Sequence, residues 1–133
     1  MRDLLRVPEA RVEAQETVLV PGGRAWRLRL SSGWTLPVVE PGAGEGAPGA
    51  GEGPAEAKRK VTILLADAGR VSLRPRAEAI LKGGGRVLAA DLLLAGECRP
   101  ARLEPWHFSM LLSNVGLRAL GEETAQVLIL AAW

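Results

Sequence analysis

Apolar and polar positions alternate in Trp26-Arg27-Leu28-Arg29-Leu30, and the same period returns in Trp34-Thr35-Leu36-Pro37-Val38 after Ser31-Ser32-Gly33. Period two on both sides of a small-residue turn predicts a β-hairpin with one buried face. Pro37 has no N–H for a ladder, so the second strand is expected to lie at an edge or to end there. Upstream, residues 1–24 are charged and mixed. Pro8 breaks an early helix, Pro21-Gly22-Gly23 makes a turn, and Val12–Val20 fits a short strand or a helix.

The period changes after Lys60. Val61-Thr62-Ile63-Leu64-Leu65-Ala66 is continuously apolar apart from Thr62, which marks a strand covered on both faces. Asp67-Ala68-Gly69 forms a turn. A helix capped near Ser72 runs to about Leu81, with Ala77, Ile80 and Leu81 on one face, and Gly83-Gly84-Gly85 stops it. Arg86–Asp91 is a second buried strand. Strand, helix and strand in about thirty residues predict a right-handed βαβ unit with a parallel pair. Two more helices follow. Trp106–Val115 repeats Phe108, Leu111, Leu112 and Val115 at three and four, and Gly116 interrupts it. Leu120–Trp133 carries Glu122 and Glu123 in its first turn, favourable to the helix dipole, and a stripe of Ala125, Leu128, Ile129 and Ala132. Arg118 and Glu122 read as a solvated i,i+4 pair.

Between the hairpin and the βαβ unit, residues 41–54 (PGAGEGAPGAGEGP) hold nine Gly or Pro in fourteen. Such a stretch cannot bury enough apolar area to offset its ordering entropy, so a mobile loop is expected. Its repeat lacks the Gly-Lys-Ser/Thr of a phosphate loop.

Composition narrows the classes. A length of 133 residues allows one domain, read as a segment of uncertain structure at 1–24 and an α/β unit at 25–133. The net charge of +2 comes from scattered cations with no basic stripe, which argues against nucleic acid. No segment reaches the ~20 apolar residues of a membrane span, and Met1–Arg6 begins no signal-peptide core. The chain as it stands reads as cytoplasmic, with export of a longer parent the alternative. Cys98 is the sole cysteine and His107 the sole histidine, so neither a disulfide framework nor a metal site is expected, and no cofactor is implied.

Taken together, Val61–Gly69, Arg86–Asp91 with Gly96-Glu97, and Val115–Gly121 leading to Ala131-Ala132-Trp133 resemble the opening half of an α/β-hydrolase. The branch is the acetyl xylan esterase-like and dienelactone hydrolase-like one, and the match covers about 100 of the 133 residues. The resemblance implies an incomplete hydrolase-type sheet with an N-terminal antiparallel hairpin and flanking helices. It also implies an intact relative that hydrolyses an ester through an acyl-enzyme. Ala68 and Gly69 fall where the family holds oxyanion N–H donors, although Ala66-Asp67 replaces the usual His-Gly-type pair. An ordinary βα turn capped by Asp67 is the competing reading. Asp91, Gly96 and Glu97 match a structural loop, Asp-x-x-Gly-x-Gly-Glu-Ser, whose first Gly is lost within Leu92–Leu94 and whose Ser is Cys98. Gly-x-Ser-x-Gly is missing, so no catalytic residue is assigned.

Ser72, Ser109 and Ser113 sit in no strand–turn–helix elbow. Cys98 as a nucleophile would need a base, and His107, nine residues on, is not placed beside it by any pattern. The expectation is therefore an N-terminal esterase fragment, inactive alone. Its open sheet edge would leave it to self-associate or to meet a partner chain, and the ester substrate would belong to the full-length relative. One alternative is a non-catalytic module that completes its sheet on a partner. A second is a degenerate dinucleotide-binding domain, since Asp91 lies 22 residues after Gly69, although the glycine fingerprint is absent.

Overall fold

A computed structural model describes residues 6–42, 60–102 and 104–133; most of the loop expected at 41–54 lies outside them. Five strands form one mixed sheet: β1 Val12–Val20, β2 Gly23–Leu30, β3 Thr35–Pro41, β4 Val61–Leu64 and β5 Arg86–Ala90. Their order is β1-β2-β3-β5-β4. The helices are α1 Arg74–Lys82, α2 Pro105–Asn114 and α3 Ala119–Ala132. This is the α/β class expected: a five-stranded mixed sheet with flanking helices, not closed on itself. No described helix is long and apolar enough to cross a membrane.

The N-terminal segment resolves into a strand. A two-residue turn at Pro21-Gly22 folds β1 back on β2, with Val20 opposite Gly23 and Thr17 opposite Trp26. The period-two stretches pair as β2 and β3, with Leu28 opposite Leu36 and Trp26 opposite Val38. Their inward residues Leu28, Leu30, Leu36 and Val38 are fully buried and pack with Ala90 and with Ile129 and Leu130 of α3. Leu64, Val87 and Ala89 point to the opposite face and meet Ala77, with Leu73, Ile80 and Leu81 around them. The strand alternation therefore feeds α3 on one face and α1 on the other, and β4 and β5 run parallel as the continuous apolar runs require.

Pro37 does not put its strand at an edge. β3 lies between β2 and β5. The Pro37 carbonyl accepts the Asp91 N–H at 3.3 Å, so the polar backbone groups of Pro37 face β5. Its missing donor falls just past the Val38–Ala90 and Val39–Ala89 pairs, where that ladder has already ended. A partly buried ion pair, Arg86 Nη2 to Glu40 Oε1 at 2.7 Å, fixes the other end of the β3–β5 seam.

The helices differ in detail from their sequence reading. Ser72 does not cap α1. Its hydroxyl donates to the Gly69 carbonyl inside a 3₁₀ turn, Arg70–Leu73, and α1 begins after it with Pro75 in its first turn. On α2 only Leu112 of the expected stripe is buried; Phe108 is half-buried and meets Trp34 edge-on, while Leu111 and Val115 are exposed. On α3 the buried face is Glu122, Ala125, Gln126, Ile129 and Leu130, whereas Leu128 is 46% exposed and Ala132 lies outside. Gln126 turns inward because its Oε1 accepts the buried Leu93 N–H at 2.8 Å, tying α3 to the loop after β5.

Glu122 is not a solvated partner of Arg118. It is 2% exposed. Burial raises its carboxyl above the ordinary value of 4.5, and the nearby Trp34 indole N–H pulls it back only in part. Burial also raises Glu123, with help from the charge of Asp67. A carboxyl whose pKa is higher folded than unfolded favours the protonated protein, so stability falls as pH rises from about 4.5 through the raised value. Denaturation midpoints across that range should decline less steeply for Glu122→Gln than for the parent. Identical slopes would contradict the burial argument.

Candidate functional site

In open α/β sheets ligands bind outside the carboxyl ends of the parallel strands. Here those ends are the turn after β4 and the loop after β5. They border a cavity of about 320 Å³ lined by Leu65–Asp67, Leu92–Ala95, Pro105 at the start of α2 and Glu123 of α3. The walls are largely aliphatic, with two carboxylates, Asp67 and Glu123, on the rim.

One buried carboxylate holds the two loops together. Asp91, 2% exposed, accepts the Arg70 backbone N–H at 2.5 Å, Arg70 Nη1 at 2.5 Å and the Glu97 N–H at 3.1 Å. Arg70 Nη2 continues to Glu97 Oε2 at 2.8 Å. The bond to Glu97 and the charges of Asp91 and Glu97 raise the guanidinium pKa against its partial burial. The loops approach so closely that a Cβ on Gly69 would strike the Gly96 backbone, and one on Gly96 would strike the Asp91 carboxyl group. Both glycines have positive φ, 89° and 49°. Leu94 also lies in the left-handed region, at φ 64°.

Asp91, Gly96 and Glu97 thus stand together, joined by Arg70, which sequence reasoning missed. Its only signal was a cation directly after the Gly69 turn, on the loop facing an acid that ends the next strand. Both Asp91 oxygens accept hydrogen bonds from within the chain, one donor on Oδ1 and two on Oδ2.

The two residues expected as oxyanion donors are placed less favourably. The Gly69 N–H is already bonded to the Ala66 carbonyl at 2.9 Å. Among the described residues the Ala68 N–H has no partner within the chain. Neither residue lines the cavity, whose share of this turn is Leu65–Asp67.

The side chains weighed as nucleophiles are occupied. Ser109 and Ser113 hydroxyls donate to the carbonyls of Pro105 and Ser109 in α2. His107 stacks on Trp106 with ring centroids 3.5 Å apart, at the exposed start of the same helix. Cys98 Sγ lies 3.4 Å from the Asp91 carbonyl oxygen. Burial, then the Asp91 and Glu97 carboxylates, push its thiol up to about 11 against the influence of Arg70. Only the thiolate attacks, so Cys98 should alkylate with iodoacetamide at pH 7.5 far more slowly than a free thiol of ordinary pKa. A rate equal to that of free cysteine would contradict the burial.

No protein-family model matches the chain, and no curated protein matches it. Among solved structures it is similar to a Bacteroides fragilis protein assigned as an acetyl xylan esterase, at 17% identity and a TM-score of 0.63. The superposition covers 99% of this chain and 40% of that one, so the chain spans less than half the length of the protein it overlays, and what the two share is the fold.

Proposed function

We propose that these residues are the N-terminal part of an esterase-type α/β-hydrolase, supplying the sheet and one wall of the cleft but not the attacking group. The observation that carries this reading is the overlay of nearly the whole chain on less than half of an esterase-assigned protein. The cavity at the carboxyl ends of β4 and β5 is consistent with it. The Asp91–Arg70–Glu97 cluster sets the spacing of the two loops, and Ala68, next in the chain to the cavity-lining Asp67, has an N–H without a partner among the described residues. The nucleophile, its base and the orienting acid are supplied by residues other than Ser72, Ser109, Ser113, Cys98 and His107. Substrates are esters of a carbohydrate or a small acid.

Oxyanion donors accelerate acyl transfer only when substrate is held in place, and half a cleft does not hold it. The 133-residue protein should therefore hydrolyse p-nitrophenyl acetate at the rate of a heat-unfolded control. A saturable burst that a phosphonate abolishes would overturn the reading. Coding DNA beyond the Trp133 codon offers a complementary check, with a Gly-x-Ser-x-Gly run the expected companion.

A further inference from the structure

Glu122 is a buried acid without a cation. It stands in the first turn of α3, and no ion pair among the described residues includes it. The charged groups of the elements around it are spent or turned away. On its own helix Arg118 is exposed and Glu123 feels the charge of Asp67. The β2–β3 turn, Ser31–Thr35, holds no titratable side chain. Glu9 and Arg11 beside that turn are exposed, as are Arg27 and Arg29 of β2. Arg24 and Glu40 sit at the far end of the hairpin, opposite each other, with Glu40 paired to Arg86. In the loop after β5, Asp91 is held by Arg70, and Glu97, Arg99, Arg102 and Glu104 are exposed. On α2 only His107 titrates, at the exposed start of the helix.

The group that does reach the Glu122 carboxyl is an indole. Trp34 Nε1 is buried with no hydrogen-bond partner, yet its N–H lies near enough to favour the ionised acid. The Trp34 side chain packs on the cluster that holds Leu30, Leu36 and Ile129, and its ring meets Phe108 of α2 edge-on at 6.3 Å. A buried donor lacking an acceptor thus stands beside a buried acid lacking a donor, and each carries its desolvation uncompensated.

We propose that Glu122 and Trp34 form a proton-governed latch between α3 and the β2–β3 hairpin: the ionised carboxylate accepts the indole N–H, and the neutral acid leaves it free. A hydrogen bond to an ionised group is shorter and about twice as strong as one between neutral groups. One indole N–H fills only part of what two carboxylate oxygens can accept, so the bond offsets the cost of the buried charge without cancelling it. The latch therefore closes only where the pH is high enough to ionise the acid. Below that pH, apolar packing alone joins the hairpin to α3. Because the same ring bears on Phe108, closing also moves the surface on which α2 rests. This inference uses neither the cavity nor a nucleophile; it is independent of the esterase reading, and its failure would leave that reading untouched.

Heteronuclear NMR of the 133-residue protein between about pH 4 and pH 8 tests it, with the Trp34 indole N–H and the Glu122 carboxyl carbon assigned through the chain. Both signals should titrate together with a midpoint above 4.5, the indole N–H moving downfield as the acid ionises. Glu122→Gln keeps the shape and should leave the Trp34 signal flat across that step. Trp34→Phe keeps a ring but removes the donor, and should push the Glu122 midpoint further up. Circular dichroism verifies that each variant folds, and the Glu122→Gln comparison decides alone should Trp34→Phe unfold. A Trp34 signal that stays still in the parent, one that titrates unchanged in Glu122→Gln, or a Glu122 midpoint that Trp34→Phe lowers or leaves in place would overturn the proposal.

Discussion

Asp91→Ala is expected to destabilise the protein by about 3–5 kcal/mol, the cost of stripping one partner from a buried ion pair. The loss is large because three donors depend on that carboxylate: the backbone N–H groups of Arg70 and Glu97, and the Arg70 guanidinium. The Arg70 side chain is only 20% exposed and would keep just the bond to Glu97, whose own side chain is half in water. Asp91→Asn retains the shape but loses the charge and turns an amide N–H₂ toward donors, so an intermediate loss of about 2–3 kcal/mol is expected. In urea the midpoint should fall with the slope unchanged. A shift worth less than about 1 kcal/mol would show that the cluster contributes little to stability.

Gly96→Ala should be nearly as damaging, at about 2–4 kcal/mol, through two separable causes. A left-handed conformation at φ 49° costs an alanine about 1 kcal/mol. The remainder comes from the new Cβ, which meets the Asp91 carboxyl carbon and both its oxygens, and these cannot retreat while three donors pin them. The two causes come apart in a double-mutant cycle. In the Asp91→Ala background the collision is gone, so Gly96→Ala should cost only the conformational part, about 1 kcal/mol. Strict additivity would mean that the glycine is required for its φ alone.

The sequence made legible whatever is local. Alternation marked β2 and β3, and unbroken apolar runs marked β4 and β5. Spacing at three and four marked α2 and α3, and the strand–helix–strand order implied the parallel pair that the register confirms. Tertiary interactions were less visible. Counting apolar residues on α3 finds Ala125 and Ile129, which are buried, but adds Leu128 and Ala132, which are exposed. The helix is instead rotated toward Glu122 and Gln126, because the Leu93 N–H needs an acceptor and Gln126 reaches it. Pro37 is tolerated in an inner strand because it sits at the end of the β3–β5 ladder, where its carbonyl still accepts the Asp91 N–H and only one donor is lost.

At the site, Asp91, Gly96 and Glu97 stand within six residues of one another in the sequence, and Asp91 and Glu97 share one hydrogen-bond network. Arg70, its other member, was not legible, since nothing in the local pattern reports a contact across 21 residues. The turn at Ala68-Gly69 was placed correctly in the chain. Which of its amides is already spent on Ala66 depends on turn geometry that residue types do not fix.

On the function proposed above, these residues supply a hydrolase-type scaffold and no activated nucleophile. Intact-mass spectrometry of the 133-residue protein after treatment with a fluorophosphonate measures that directly. An unmodified mass is expected, because the hydroxyls of Ser72, Ser109 and Ser113 donate to backbone carbonyls of their own helices and turns, and no histidine or carboxylate is bonded to them among the described residues. A single stoichiometric adduct on any one of these serines would contradict it.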